Sequence, residues 1–325
     1  MSADFLVIIP TYRRPKFLPG TILSALGQSG VNVKVVVVDD CPEGSAETQV
    51  KALADPRIIY LKNPEPSGGW PSRVRNRGFN YAASANIPGE FVHFLDDDDI
   101  VPEGHYASVA QIFAAHKDIG VVFGIVATFI EPSDDKDIRV LQEKALQHEK
   151  YCFDKAAKRA STYCRIASRV PVAGDKLLQF LFTTYSQFGH PMFVCSAAVI
   201  RRKSVAEIHG FDPQMRLMED NEFYTRAIRH CGVYFTGKPS INYRVGSASA
   251  LMHSLVLSEE EKLKEYNEIQ TCVAQKKARL KKELGLRFYT DKILFFTVVN
   301  PRLALKRIRL KLLRLRGINP DITVR

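Results

Sequence analysis

The stretch Phe91-Val92-His93-Phe94-Leu95-Asp96-Asp97-Asp98-Asp99 joins a short apolar run of β type to four consecutive aspartates. Carboxylates packed this closely repel one another and are costly to keep beside an apolar strand unless they share a cation. Magnesium and manganese prefer oxygen ligands, and magnesium commonly takes one or two carboxylates while water and phosphates fill its other positions. The stretch therefore predicts a strand end that holds a metal diphosphate. The alternative is an acidic turn that simply caps a strand in water.

Upstream of this stretch, further apolar runs alternate with segments of helical spacing. Runs without polar alternation are typical of strands that are buried on both faces of a parallel sheet. Leu18, Ile22 and Leu26 recur at helical spacing after the first run, and residues 74–85 predict a second helix. The apolar runs are residues 5–9, 34–38 and 58–61. The pattern predicts an α/β domain in which helices cross over between parallel strands.

Two acidic clusters come directly after predicted strands. Asp39 and Asp40 follow the second run, and the four aspartates follow the strand at residues 91–95. Ligands bind at the carboxyl ends of the strands in open α/β sheets. We therefore expect both clusters to lie at one ligand-binding edge.

Several motifs, taken in order, resemble those of family-2 glycosyltransferases of the GT-A fold. The resemblance covers roughly residues 5–244. Its motifs are Ile-Pro-Thr-Tyr-Arg-Arg at 9–14, Val-Val-Asp-Asp at 37–40, Gly68-Gly69 with Val-Arg-Asn-Arg-Gly at 74–78, Phe-Leu-Asp-Asp-Asp-Asp at 94–99, Ser-Ala-Ala-Val-Ile-Arg-Arg at 196–202 with Gly-Phe-Asp at 210–212, and Met-Glu-Asp-Asn-Glu at 218–222. The resemblance implies a Rossmann-like nucleotide-binding sheet with an intertwined acceptor-binding half, followed by C-terminal helices.

The resemblance and the composition together predict three segments. Residues 1–100 form the nucleotide-sugar-binding half, and residues 101–250 form the acceptor-binding and catalytic half. A helical insertion at about 131–190 matches no motif. Residues 251–325 form a C-terminal helical extension with a basic amphipathic tail.

The resemblance implies a nucleotide site at the ends of the first two strands. Tyr12 can stack its ring on a planar base, uracil in the family, although it could only pack against the sheet edge. Asp39 can accept a hydrogen bond from a pyrimidine N–H, and Asp40 can support the ribose or orient the loop. Alternatively, the two acids cap the next helix. The nucleotide-binding residues that we predict are Pro10, Thr11, Tyr12, Arg14, Asp39, Asp40, Gly68, Arg75, Asp96 and Asp97.

An arginine on the helix after the glycine loop is the candidate for binding the diphosphate. Gly68 permits a close approach of the backbone to a ligand. Arg75 matches the arginine of the family pattern, and an arginine fork suits phosphate oxygens. Arg73 and Arg77 compete for the role, and a solvated basic helix face is the alternative.

Within the aspartate run, the family pattern Asp-x-Asp-Asp assigns different roles. Residues two apart on an extended chain point the same way, so Asp96 and Asp98 are expected to share a side. We predict that Asp98 ligates Mn²⁺ or Mg²⁺ and that Asp96 contacts ribose or bound water. Asp99 either supports the site from behind or also reaches the metal. Asp97 holds the variable position and is expected to matter least.

Asp220 is the candidate general base of an inverting transfer, within the catalytic pair Glu219 and Asp220 that the resemblance implies. Such a reaction needs a carboxylate to take the proton of the acceptor hydroxyl, while a metal offsets charge on the departing diphosphate. Glu219 or Glu222 could hold the role instead, or the acids could only complement a helix dipole. Many relatives place a histidine near position 246, where this chain has glycine. Whether His253 substitutes is left open.

Cysteine usage and hydropathy bear on the compartment. The six cysteines among the 325 residues show neither CxxC pairing nor metal-ligand spacing, which favours reduced thiols in the cytoplasm. No segment resembles a signal peptide, and no apolar stretch reaches the ~18 residues of a spanning helix. We therefore expect a cytoplasmic protein that does not cross the membrane.

The C-terminal region is nevertheless expected to lie on the membrane. The net charge is +11, and residues 302–316 carry Lys or Arg at about half of their positions and no acid. If this segment is helical, its leucines line one face between basic flanks, which is typical of an interfacial helix on anionic lipid. Residues 258–285, with a capping box at Ser258 and Glu261, predict the helix that links tail and core. Nucleic-acid binding, which we do not expect, and packing on the protein's own acidic surface are the alternatives.

Taken together, the sequence predicts a metal-dependent, inverting glycosyltransferase. The donor would be a nucleotide sugar, most simply UDP-linked, and the acceptor a hydroxyl of a polysaccharide or lipid-linked glycan in bacterial surface polysaccharide or lipopolysaccharide synthesis. One alternative is a nucleotidyltransferase. Such an enzyme needs a glycine-rich phosphate-binding loop directly after the first strand, where this chain has Pro-Thr-Tyr-Arg-Arg at residues 10–14. A non-catalytic membrane scaffold is the other alternative, yet every carboxylate of the motifs is present.

Overall fold

The computed structural model describes residues 3–170, 173–189, 191–246 and 258–300. Its centre is a seven-stranded sheet in the order β3-β2-β1-β4-β6-β5-β7. The strands are β1 (Ala3–Thr11), β2 (Val31–Asp39), β3 (Ile58–Lys62), β4 (Phe91–Phe94), β5 (Val121–Phe129), β6 (Ala198–Arg201) and β7 (Val233–Arg244). Strands β1 to β4 are parallel, as the apolar runs predict, whereas β6 runs antiparallel between β4 and β5.

Ten α-helices are found among the described residues, and they cover the sheet and extend beyond it. They are α1 (Leu18–Leu26), α2 (Glu47–Ala52), α3 (Pro71–Ser84), α4 (His105–Ala115), α5 (Lys136–Ala167), α6 (Gly174–Phe188), α7 (Arg202–Glu207), α8 (Glu219–Cys231), α9 (Glu259–Leu284) and α10 (Arg287–Leu294). A 3₁₀ turn at Cys195–Ala197 and a π-helical turn at Phe295–Val299 complete the elements. The predicted helix at residues 74–85 begins earlier, because Pro71 fits the first turn of a helix.

The register of the central strands fixes the position of the ligand edge. Thr11 of β1 pairs with Asp39 of β2, and Ile8 of β1 pairs with Phe94 of β4. The strand that precedes the aspartates ends at Phe94, one residue earlier than predicted. The acidic clusters therefore meet beside the end of β1, at the carboxyl edge of the sheet.

The helix α9 confirms its predicted start signal. The Ser258 hydroxyl accepts a hydrogen bond from the Glu261 backbone N–H, and the Glu261 side chain accepts one from the Ser258 N–H. Phe295, at the start of the π-helical turn, is fully buried and packs near Tyr185 and Phe188 of α6. The predicted amphipathic tail at residues 302–316 lies outside the described residues.

No helix among the described residues is long and apolar enough to cross a bilayer.

Candidate active site

A cleft of about 450 Å³ opens at the carboxyl edge, within the size range of small-molecule sites. Eight of the predicted site residues line it together: Pro10, Thr11, Tyr12, Arg14, Arg75, Asp96, Asp97 and Glu219. A more basic cleft of about 740 Å³ shares Arg14 with it and also contains Arg13, Lys16 and Arg244. The edge therefore combines carboxylates with several cations.

The aromatic wall of the cleft depends on a glycine turn. Gly68 and Gly69 both have positive φ angles, of 76° and 80°. A Cβ atom on Gly69 would lie 2.8 Å from the Tyr12 ring, so only glycine lets the loop pack against the ring. The ring of Tyr12 remains partly exposed, and it is available for stacking on a planar group.

The two aspartates after β2, which we expect at the nucleotide site, organise loops in the structure. Asp39 has no exposed surface, and its carboxylate accepts hydrogen bonds from Cys41 N, Ala46 N and the Tyr60 hydroxyl. Its oxygens are therefore not accessible to a ligand in this arrangement. The alternative that such an acid organises the start of the next helix fits better.

Asp40 follows the loop-orienting role that we expected for it. It accepts hydrogen bonds from the side chain of Asn63, from the backbone N–H and hydroxyl of Ser67, and from Gly69 N at 2.6 Å. These bonds hold the glycine turn against Tyr12.

The aspartate run is a turn rather than an extended strand, so the expected alternation of side chains does not apply. Asp97, expected to matter least, is 1% exposed and receives hydrogen bonds from the Thr11 hydroxyl at 2.7 Å and Arg14 Nη2 at 2.6 Å. Burial raises the pKa of Asp97 to about 7 despite the adjacent guanidinium. Asp97 therefore anchors the run to β1.

Asp98 and Asp99 occupy different environments. The Asp98 side chain is 14% exposed, and its Oδ2 lies 3.2 Å from Arg14 Nη1. Asp99 is fully buried, and its Oδ1 accepts from Arg244 N at 3.0 Å. Its Oδ2 has no partner among the described residues. Burial raises the pKa of Asp99 well above its usual value, so of its two expected roles the support from behind fits better.

The fit of a divalent metal rests on Asp98. Among the described residues, no group of three or more His, Cys, Asp or Glu side chains is arranged to hold an ion. A magnesium ion that uses one or two carboxylates and completes its shell with water and diphosphate does not need such a group. Arg14 already bridges Asp97 and Asp98, so the run attracts a cation. The residues fit a metal that is held jointly by protein and substrate.

Arg75, which we expect to bind the diphosphate, is paired with two carboxylates in the structure. Its guanidinium donates to Asp96 Oδ1 at 2.6 Å and to Glu219 Oε1 at 2.7 Å, and the side chain is 5% exposed. Arg75 therefore ties the aspartate run to the start of α8. Its competitor Arg73 also has partners: it donates a hydrogen bond to the carbonyl oxygen of Pro213, and its guanidinium stacks on the Trp70 ring.

The start of α8 distinguishes the three candidate bases. Glu222 is buried in ion pairs with Arg226 and Arg279, and Glu219 pairs with Arg75. Asp220 has no ion pair among the described residues and accepts only from the N–H of the next residue. The geometry thus favours Asp220 over both glutamates as the proton acceptor.

The pKa of Asp220 suits that task. Burial is the main cause that raises it, to about 7, and the neighbouring Glu219 carboxylate adds to the rise. A base with a pKa near the working pH combines a large deprotonated fraction with adequate proton affinity. Met218, before this helix, has a φ of +60°, which is uncommon for a residue with a side chain and is often found at functional sites.

Arg244 is a site residue whose role the motif comparison did not predict. Its Nε donates to the Asp98 carbonyl oxygen at 3.0 Å, and its guanidinium lies 4.0 Å from the centre of the Phe17 ring. Arg244 is the last residue of β7, which is parallel to β5. Its position at the carboxyl end of a strand is the feature from which a site role could have been predicted. His253, left open as a metal or diphosphate contact, lies outside the described residues.

Comparison with known proteins agrees with these motifs. A family model described as Glycosyl transferase family 2 matches residues 6–208. The succinoglycan biosynthesis protein ExoO of Rhizobium meliloti is 25% identical over 273 residues, which is 81% of this chain and 69% of ExoO. A GalNAc(5)-diNAcBac-PP-undecaprenol beta-1,3-glucosyltransferase of Campylobacter jejuni is 33% identical over 120 residues, 36% of each protein.

The chain spans only part of some relatives. It is 32% identical to the minor teichoic acid biosynthesis protein GgaB of Bacillus subtilis over 133 residues, which is 39% of this chain and 14% of GgaB.

Two solved structures share the fold. The mannosyltransferase PcManGT from Pyrobaculum calidifontis, in complex with GDP-Man and Mn²⁺, has a TM-score of 0.51 at 15% identity, over 100% of this chain and 79% of its own. S. aureus TarS 1–349, in complex with UDP-GlcNAc, has a TM-score of 0.50 at 17% identity, over 75% of this chain and 58% of its own. These likenesses support the GT-A fold. The family model matches more than half of this chain, and the chain therefore belongs to glycosyl transferase family 2.

Proposed function

We propose that the protein is an inverting, metal-dependent glycosyltransferase that transfers a sugar from a nucleotide-sugar donor to a hydroxyl of a glycan acceptor. The observation that carries this proposal is the Arg75 bridge. It holds Asp96, from the donor-side aspartate run, and Glu219, from the catalytic motif, on one guanidinium. Asp220, the carboxylate free of ion pairs among the described residues, follows Glu219, which lines the cleft.

A UDP sugar is the donor that we propose. The partly exposed ring of Tyr12 can stack on a pyrimidine, and Arg14 lies where it can meet a diphosphate. Support comes from S. aureus TarS, which was solved in complex with UDP-GlcNAc, and from an Escherichia coli relative named as a UDP-Glc-dependent glucosyltransferase, WfgD. The cleft is large enough for a nucleotide-sized ligand.

Mn²⁺ or Mg²⁺, when bound with the donor, would supply positive charge that stabilises the departing diphosphate. Asp98 is the residue that would hold it, and Asp99 supports that position from behind. Arg14 and Arg244, which contact the same run, add fixed positive charge near the leaving group.

Asp220 accepts the proton in the transfer step. The acceptor oxygen forms a bond to the anomeric carbon while the bond from that carbon to the diphosphate oxygen breaks, and the electron pair leaves with the nucleoside diphosphate. The proton of the acceptor hydroxyl passes to the Asp220 carboxylate. Attack opposite the leaving group inverts the anomeric configuration, and no covalent intermediate is needed.

We propose a lipid-linked or polysaccharide glycan of the bacterial cell surface as the acceptor. The names of the Campylobacter jejuni and Escherichia coli relatives describe sugars carried on diphosphoundecaprenol, and GgaB and ExoO are named for polymer synthesis. We place the enzyme on the cytoplasmic face of the membrane, where the basic segment at residues 302–316 would attract anionic lipid.

A screen of nucleotide sugars with Mn²⁺ tests this function. We expect release of nucleoside diphosphate from one UDP sugar, slow by hydrolysis alone and faster with an acceptor. Turnover that persists fully in EDTA would remove the metal from the proposal. A protein that neither binds UDP nor consumes any nucleotide sugar would contradict the transferase assignment itself.

A further inference from the structure

A second cavity, of about 500 Å³, lies between the end of α6, the start of α8, and the helices α9 and α10. We call it the C-terminal groove. Apart from its α6 side, most of its wall comes from residues after 208, where the family match ends. The extension α9–α10 builds much of this wall, outside the motifs described above.

The start of α8 separates the C-terminal groove from the donor cleft. Glu219 lines the donor cleft, whereas Met218 and Asn221 line the groove. Asp220 comes between these residues in the same helical turn, next to Asn221, whose side chain accepts a hydrogen bond from Lys276 of the groove. An acceptor bound in the groove would therefore lie near the base.

A buried amide in the groove lacks a partner. Gln187, near the end of α6, is 6% exposed and lines the groove. Neither its Nε2 nor its Oε1 has a hydrogen-bond partner among the described residues. Because a buried polar group without a partner is destabilising, the site is suited to a ligand with polar atoms.

The charged residues that line the groove among the described residues are all cationic: Lys276, Lys277 and Lys292. The Lys276 ammonium is fixed by hydrogen bonds to Ser186 O and Asn221 Oδ1. Burial lowers the pKa of Lys276 to about 8, which leaves it mainly protonated at neutral pH. The lining thus offers three lysines and no acid to a multiply charged anion such as a diphosphate.

The remaining wall is apolar. Phe188, Met215 and Val273 line the groove together with Phe296. Val273 is 44% exposed, so the apolar wall continues to the surface of α9. A ligand that suits both halves of this lining carries phosphate at one end and a hydrocarbon chain at the other.

We propose that the C-terminal groove is the acceptor site and that its ligand is an isoprenoid diphosphate that carries the growing glycan. The proposal rests on the function proposed above and specifies the acceptor class. The lysines bind the diphosphate, Gln187 hydrogen-bonds the polar headgroup, and the aromatic residues pack on the first isoprene units. The sugar hydroxyl then reaches Asp220.

Calorimetric titration of farnesyl diphosphate into the full chain tests the proposal, with saturating UDP and Mn²⁺ present to fill the donor cleft. We expect it to bind at least about tenfold more tightly than either inorganic pyrophosphate or farnesol, because only the diphosphate ester uses both halves of the lining. The double variant Lys277→Gln with Lys292→Gln should weaken binding about tenfold or more. The control Lys281→Gln with Lys282→Gln removes the same charge from α9 outside the groove and should bind normally.

A further variant separates ligand binding from folding. Gln187→Leu should weaken farnesyl diphosphate binding about fivefold and also raise the melting temperature, because the unsatisfied amide is removed.

Two results would overturn the acceptor site. One is that both double lysine variants lose the same affinity for farnesyl diphosphate, and the other is that the wild type binds farnesyl diphosphate and inorganic pyrophosphate equally tightly. UDP affinity, measured separately, reports on the donor site alone, so failure of the groove is distinguishable from failure of the proposed function.

Discussion

Asp220 is expected to lower stability at neutral pH while enabling the reaction. Its pKa is raised to about 7, above the ~3.9 of an unfolded chain. Between these values the folded protein binds more protons, so this residue's contribution makes stability fall as pH rises from about 4 to about 7. Asp220→Asn cannot titrate. We expect its melting temperature to exceed that of the wild type at about pH 8, and the difference to shrink toward about pH 4.

The same pKa predicts a pH dependence for transfer. Activity should rise as pH increases through about 7, where the Asp220 carboxylate loses its proton. Rates measured from about pH 5.5 to 8.5 on the wild type check this, with UDP affinity followed in parallel. A rate that is flat over that range while UDP still binds would remove Asp220 from the proton transfer.

Arg75 should be required for folding as well as for the site. The Arg75 side chain is buried, whereas Asp96 is 26% and Glu219 11% exposed. Because Arg75→Met would leave both carboxylates without their cation, we expect a loss near the lower end of the about 3–5 kcal/mol that is typical of a broken buried pair. Arg77→Met, on the exposed side of the same helix, should change the free energy of unfolding by less than about 0.5 kcal/mol. Chemical denaturation of both variants is the measurement. Similar stability for the two would mean that the bridge contributes little.

Sequence patterns predicted many of the residues that line the cleft. They did not predict which contacts those side chains make. The expectation that Asp97 points away assumed an extended chain, but β4 ends at Phe94 and a turn brings this aspartate onto Thr11. The ion pair between Arg75 and Glu219 was not predicted, because nothing in the segment around Arg75 reveals a partner 144 positions away. Contacts between residues that lie far apart in the sequence cannot be predicted from a local sequence pattern.

At the scale of elements, the contact of α3 with the sheet requires a glycine. A Cβ on Gly78 would lie 2.7 Å from Ile8 Cγ2 and 2.8 Å from Val38 Cγ2. Gly78→Ala gains about 1 kcal/mol in helix propensity, but overpacking typically costs about 1–3 kcal/mol. We expect net destabilisation in chemical denaturation.

Gly20→Ala in α1 is the matched control. Its added Cβ would meet only Ile100 at an ordinary 3.8 Å, so this variant should be stabilised by up to about 1 kcal/mol. If the two variants shifted stability in the same direction, the close packing of α3 on the sheet would not be the limiting contact.

The elements that sequence predicted are those with strong local signals. The uninterrupted apolar runs of β1 and β2 and the capping box of α9 are confirmed. The short helix α2 was not predicted, since it offers only one buried residue, Val50. The antiparallel insertion of β6 between β4 and β5 was not predicted either, because strand order depends on pairing between distant segments.

At the scale of the whole molecule, the strongly basic tail at residues 302–316 predicts membrane attachment. Each cation near an anionic bilayer contributes about 1 kcal/mol, and the leucines would hold the helix at the interface. The full chain should sediment with vesicles that contain phosphatidylglycerol and be released by salt, because exposed charges are screened beyond about 8 Å at physiological ionic strength.

Deletion of residues 302–325 is the comparison for that experiment. The truncated chain should stay in the supernatant and keep activity on a short acceptor without a lipid, because the carboxylate sites lie elsewhere in the chain. Equal sedimentation of both proteins would refute attachment by the tail. Retention on nucleic acid in preference to lipid would favour the rival use of the same charge.

Across the whole molecule, Asp98 is proposed to serve the donor and Asp220 to serve the acceptor. Calorimetric titration of UDP with Mn²⁺ into Asp98→Asn and Asp220→Asn compares the two sites with the same substitution. We predict that Asp220→Asn binds UDP within about twofold of the wild type, whereas Asp98→Asn binds about 100-fold more weakly. UDP affinity that needs no metal and survives Asp98→Asn, or that is lost in Asp220→Asn, would contradict this division of roles.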